Sequence, residues 1–220
     1  MSLQERIEQV EQRIQNAARN AGRKREEITL VAVTKKFPAE VMREAYNLGL
    51  RVFGENYVQE FATKKPALAD LADAEFHLIG HLQSNKSKLA LELFQTIQTV
   101  DSAKLARRLN ETERPLDVMI EVKLSEEESK EGAAPDELPA LIDAIRACGN
   151  LRLTGLMTMP PWSDDPAETR PYFRKLAALS RQHSLPRLSM GMSHDLEAAI
   201  EEGSTHVRVG TALFGARPKL

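Results

Sequence analysis

Two lysines stand side by side where an apolar run ends. In LVAVTKKFP, Leu30 to Val33 lead through Thr34 straight into Lys35 and Lys36. A lysine amine held at the end of a buried strand, partly stripped of water, has its pKa lowered and becomes a nucleophile able to condense with an aldehyde or ketone. Adjacent side chains on a strand point to opposite faces, so one of the two can face a site while the other meets helices or solvent. The competing reading is a pair of ordinary surface lysines. A second group lies near the end of the chain: Gly191-Met192-Ser193-His194-Asp195, followed by Gly210-Thr211. A Ser193 hydroxyl at the start of HDLEAAI, with free backbone N–H groups there and at Gly210 and Thr211, would form a neutral cradle for an anion such as phosphate. Plain helix capping by Ser193 is the alternative. The third feature is Arg208, a charge inside the strand-like run HVRVG. If it points inward it needs an acceptor, either a carboxylate such as Glu55 or the ring nitrogen of a cofactor. If it points outward it lies between helices.

These groups need elements to position them. A helix is expected over residues 1–22, where Leu3, Ile7, Val10, Ile14 and Ala17 or Ala18 recur at spacings of three and four. Strand-like runs follow at 28–34, 51–55, 75–80, 96–100, 116–124, 151–157, 187–192 and 206–210, with helical patterns between them. Ser84 or Asn85, and Asp101 or Ser102, are candidate caps for two of those helices. The runs are apolar throughout rather than alternating, as parallel strands covered on both faces require. Eight such units predict a single (β/α)₈ TIM barrel, one domain over 1–220, with the extra helix in front; a doubly wound open sheet is the other candidate. In a barrel, reactive groups belong at the C-terminal strand ends. Glycine recurs at those ends (Gly54, Gly80, Gly191 and Gly210), either to admit a ligand close to the backbone or simply to turn the chain.

Composition narrows the classes of function. The chain has 220 residues and a formal net charge of −2, from 30 Lys and Arg against 32 Asp and Glu. That balance argues against a nucleic-acid or anionic-membrane binder. No apolar stretch approaches the ~18 residues of a membrane span, and the charged, periodic start is no signal peptide. The one cysteine, Cys148, closes a helical pattern and reads as a buried structural thiol in a cytoplasmic chain. No metal is expected: His77 and His81 are four apart, but on a strand and its exit, where that spacing makes no shared face.

An amine nucleophile, an anion cradle and an inward Arg together suit a phosphorylated aldehyde. The blocks LVAVTKKFPAE, VFGENYVQE, FHLIGHLQSNK, EESKEG, GLMTMPP and LSMGMSHDLEAAIEEGSTHVRVGTALFG resemble the pyridoxal phosphate homeostasis protein family, itself similar to the N-terminal barrel of bacterial alanine racemase. The resemblance implies that Lys35 carries pyridoxal 5'-phosphate (PLP) as an internal aldimine and that Asn56 lies near the ring. It places Met192, Ser193, Gly210 and Thr211 at cofactor-contact and phosphate positions, and Arg208 against the pyridine nitrogen. Lys36 falls where the family usually carries another residue type. A cation beside that nitrogen keeps it unprotonated and makes the ring a weaker electron sink.

The function implied is that of a non-catalytic carrier and regulator in vitamin B6 homeostasis, with PLP and PLP-dependent apo-enzymes as partners. A monomer is expected, since nothing marks a dimer surface. The alternatives are a PLP-dependent amino-acid racemase of weak or specialised activity and a cofactor-free Schiff-base aldolase. The racemase family's second acid/base is a tyrosine from a following β domain, which this barrel is expected to lack. Tyr46 and Tyr172 read as helix residues, and Tyr57 lies in the family's own motif. The aldolase fits less well, because a cradle plus Arg208 suits a ring better than a linear sugar phosphate. Two loops stay open: Lys130, in SEEESKEG, as a second lysine that accepts the aldehyde, and Trp162, in PPWSDDP, as a lid or a rim contact.

Overall fold

Parallel strands can lie side by side only when the chain is carried back to the same end each time, and the amphipathic segments between the strands are long enough to do that. A computed structural model describes residues 1–125 and 131–216. After α1 (Leu3–Asn20) come β1 (Thr29–Val33), α2 (Ala39–Asn47), β2 (Val52–Glu55), α3 (Val58–Lys64) and β3 (Glu75–Leu78). Next are α4 (Ser87–Leu93), β4 (Thr96–Val100), α5 (Ala103–Leu109), β5 (Leu116–Glu121), α6 (Leu138–Arg146) and β6 (Leu151–Met157). Last are α7 (Arg170–His183), β7 (Arg187–Met192), α8 (Leu196–Glu201), β8 (His206–Val209) and the short α9 (Thr211–Phe214). The eight strands are parallel and close on themselves, with β8 pairing back onto β1 from Thr29 opposite His206 to Ala32 opposite Val209. This is the (β/α)₈ barrel with its extra helix; the open sheet is excluded. Among the described residues no helix is long and apolar enough to cross a membrane.

Helix α1 starts on a reciprocal cap. Ser2 Oγ accepts from the Glu5 N–H, and the Glu5 carboxylate accepts from the Ser2 N–H. It buries Ile7, Val10, Ile14, Ala17 and Ala18 and packs on α8 and α9. Ser102 caps α5. Ser84 and Asn85 do not cap α4; they form a separate 3-10 turn ahead of it, and Ser87 Oγ turns back to the Ser84 carbonyl. Strand β5 stops at Glu121 rather than at 124: Val122 still donates to the Met157 carbonyl of β6 but pairs onward only with Ala133, through an isolated bridge. Cys148 is buried at the end of α6.

A buried ion pair ties the first strands together at the C-terminal rim. Lys64 Nζ, at the end of α3, donates to Glu55 Oε1 at 2.9 Å and to the Thr34 carbonyl at 3.1 Å, and it meets Glu60 Oε1 at 2.6 Å. Thr34 Oγ1 donates to the same Glu55 oxygen at 2.8 Å. Burial lifts the Glu55 carboxyl above its ordinary range, and the Lys64 charge is the main influence pulling it back down.

Lys64→Met should therefore destabilise the fold by about 3–5 kcal/mol at neutral pH, since it strands a buried carboxylate. Without Lys64 the folded-state pKa of Glu55 rises further. A raised folded-state pKa gives stability that is present below the unfolded value and lost as pH climbs through the folded one. Urea denaturation should show the deficit against wild type widening as pH rises through the raised Glu55 pKa, and a pH-independent deficit would contradict this.

Candidate functional site

The loops at the C-terminal rim enclose a cavity of ≈ 540 Å³. Lys35 and Asn56 reach it from β1 and β2, and Met192, Ser193, Gly210 and Thr211 reach it from β7 and β8. Arg208 lines it from inside the barrel, and Val33, Ile79 and Met159 supply apolar wall. All seven residues singled out from the sequence meet on this one surface.

The two lysines part for a different reason than strand alternation. Strand β1 ends at Val33, so both lie in the turn that follows. Lys36 adopts the left-handed region at φ 66° and is exposed, its backbone N–H donating to Glu60 Oε1 at 2.6 Å. That twist leaves Lys35 half-buried on the cavity wall.

Arg208 points inward and is 3% exposed. Glu55 is not its acceptor, being committed to Lys64 and Thr34. Instead Nη1 donates to Ser189 Oγ at 2.7 Å and Nη2 donates to the Thr158 carbonyl at 2.9 Å. Burial lowers its pKa to about 10, while the Glu121 and Asp195 carboxylates push the other way, so the group stays cationic at neutral pH.

Ser193 does not cap α8. Its Oγ accepts from the backbone N–H of Gly210 at 3.3 Å and of Ala212 at 3.2 Å, so the Gly210 N–H is not free and Ala212 joins the cradle. The loop beneath is closed by Asp195 Oδ1, which accepts from the Met192 N–H at 2.7 Å. From α1, Arg13 clamps the same loop, donating to the Ser193 carbonyl at 3.0 Å and to both oxygens of Glu197. Sequence reading missed Arg13, which looks like one more charge on a solvated helix face. Asn56 Oδ1 is buried and has no hydrogen-bond partner. An orphaned acceptor on the wall, an amine, a buried cation and backbone donors across an apolar gap form a donor set that fits a phosphorylated aromatic aldehyde.

Trp162 is 67% exposed, and its ring lies 5.0 Å from that of His194, both on the cavity wall. A smaller cavity of ≈ 170 Å³ adjoins, sharing Asn56, Ile79 and Met159 and reaching Lys123. At its edge His81 Nδ1 stands 3.6 Å from Asp101 Oδ2 and from Glu131 Oε2, a trio with cation-ligand spacing assembled from separate loops rather than from the His77–His81 pair. His77 is buried in the barrel beside Gln98. Lys130 lies outside the described residues.

The model of the alanine racemase N-terminal domain matches residues 6–218. The chain is 46% identical to the pyridoxal phosphate homeostasis protein of Aquifex aeolicus over 227 residues, covering 99% of each, and 47% identical to that of Pseudomonas aeruginosa over 222 residues, covering 98% of this chain and 96% of the relative. The chain belongs to the pyridoxal phosphate homeostasis protein family. The solved structure of PipY from Synechococcus elongatus with PLP bound superposes with a TM-score of 0.84 at 37% identity, covering 97% of this chain and 100% of PipY.

In this member of the homeostasis protein family, two rim glycines are fixed by packing. A Cβ on Gly80 would stand 2.3 Å from the Asn56 carbonyl oxygen. Gly191 has φ 90° and would strike Ala199 Cβ at 2.4 Å. Gly80→Ala should force the Asn56 backbone outward and destabilise by about 1–3 kcal/mol, the usual cost of overpacking. Thermal denaturation checks this; an unchanged melting temperature would show that the two loops are not in contact.

Proposed function

We propose that this barrel is one PLP-binding domain that holds pyridoxal 5'-phosphate as a Schiff base on Lys35. It acts as a non-catalytic, monomeric carrier in the cytoplasm, where it regulates PLP supply to PLP-dependent apo-enzymes. One observation carries the reading: the Lys35 amine, the Arg208 cation and the Ser193–Gly210–Thr211 edge line a single cavity whose Asn56 oxygen lacks a partner. When bound, PLP supplies an aldehyde that condenses with a lysine amine, releasing water. Lys35 offers the amine from the β1 turn. Ser193, with the neighbouring backbone N–H groups, would offer hydrogen bonds to the phosphate, and Arg208 would supply a cation toward the ring nitrogen.

One observation supports a carrier without turnover. The relatives are named for homeostasis rather than for a reaction.

Purified protein incubated with PLP should develop a visible absorption band that is lost in Lys35→Ala and retained in Lys36→Ala. Ser193→Ala should keep the band with affinity about tenfold weaker, as loss of a hydrogen bond to a charged group implies. A wild type that stays colourless would overturn the assignment. Conversion of L- to D-amino acids by the loaded protein would overturn the carrier reading.

A further inference from the structure

Barrel interiors are ordinarily filled with apolar side chains. This one carries a line of buried polar groups: His77 on β3, Gln98 on β4, Ser189 on β7 and Arg208 on β8, each at most 4% exposed. Burying them is costly unless they bond one another, and they do. Arg208 Nη1 donates to Ser189 Oγ. A guanidinium accepts nothing, so the serine hydrogen turns the other way and is donated to Gln98 Oε1 at 2.6 Å. With its oxygen committed, Gln98 presents Nε2 to His77 Nδ1 at 2.9 Å. That nitrogen then accepts, and the imidazole proton falls on Nε2, 3.5 Å from Glu75 Oε2. The direction of every bond follows from the one cation at the cavity end.

The partners are also neutral. A carboxylate in place of Ser189 would hold the guanidinium equally well but would offset its charge. A hydroxyl, backed by an amide, and the Thr158 carbonyl fix its position without a directly bonded counter-ion, and Glu121 and Asp195 act on the charge only through space. We propose that Ser189 and Gln98 are positioning residues for Arg208. They lock one edge of the guanidinium into the barrel so that its charge is presented at a fixed place against the cofactor ring. This rests on the reading that PLP fills the cavity with its ring nitrogen toward Arg208.

Ser189→Ala and Gln98→Met separate positioning from plain stability. Reconstituted with PLP, Ser189→Ala should bind about tenfold more weakly, the equivalent of one lost hydrogen bond to a charged group, and Gln98→Met, which removes the bond behind that serine, should weaken binding by a smaller factor. Each should also show a displaced absorption maximum, because the cation at the ring has moved while Lys35 is intact. Lower melting temperatures with unchanged affinity and unchanged band would overturn the positioning role. A wild type that takes up no PLP would instead overturn the reading of the cavity. Should a variant fail to fold, ¹⁵N-arginine spectra of the wild type decide. The Arg208 Nη protons should exchange slowly and shift on addition of PLP, and rapid exchange with no shift would overturn the proposal.

Discussion

A guanidinium left only 3% exposed in the axis of a barrel must be solvated mainly by the protein. Much of the interior follows from that requirement. The acceptors are a serine on β7 and a carbonyl just past β6, and behind the serine stand an amide and an imidazole bonded in turn. Carboxylates enter this account only as charges: Glu121 and Asp195 offset part of the burial that would otherwise strip the proton. Glu55, the carboxylate nearest to the sequence argument, belongs to a separate system with Lys64, Glu60 and Thr34 beneath β1 and β2. Keeping the two systems apart matters for the rim. An anion shared between Lys64 and Arg208 would draw both cations to one side, whereas separate partners leave an amine wall and a cationic floor on one cavity.

The strands were legible because strands packed on both faces read as continuous apolar runs, and the helices because their apolar spacing is regular. Where reading failed, contacts distant in sequence were responsible. Gln98 and Ser189 look like ordinary polar residues inside strand runs, and nothing local shows that they meet across the barrel from positions 91 apart in sequence. Arg13 and Ser193 are 180 residues apart. The lysine pair shows a subtler case. Alternation correctly demanded that Lys35 and Lys36 separate, but β1 had already ended, and a single left-handed residue does the separating. Helix α9, four residues long, leaves too short a pattern to read.

The rim glycines show how a feature that suggests a ligand can have a nearer cause. Gly80 admits the Asn56 backbone, and Gly191 admits α8 through Ala199. Neither contact requires anything in the cavity. What points to a ligand is the reverse kind of observation, a polar atom that the fold brings to a wall and leaves without a partner. Asn56 Oδ1 is such an atom, and Gly80 is the reason the chain can carry it there.

On the proposed reading, the hydrogen bonds of the Ser193 edge would limit how tightly an anion is held there. Its hydroxyl already accepts from the Gly210 and Ala212 N–H groups, at the long distances of 3.3 and 3.2 Å. An arriving anion would therefore exchange two weak bonds for two stronger ones, rather than gaining two from nothing. The net gain is a difference between two solvated states. The scaffold under the exchange is rigid, with Arg13 pinned to Glu197 and Asp195 closing the loop, so the free energy goes into rearranging one hydroxyl. On the proposed carrier reading, donors satisfied in both states would avoid stranding N–H groups once the ligand has left.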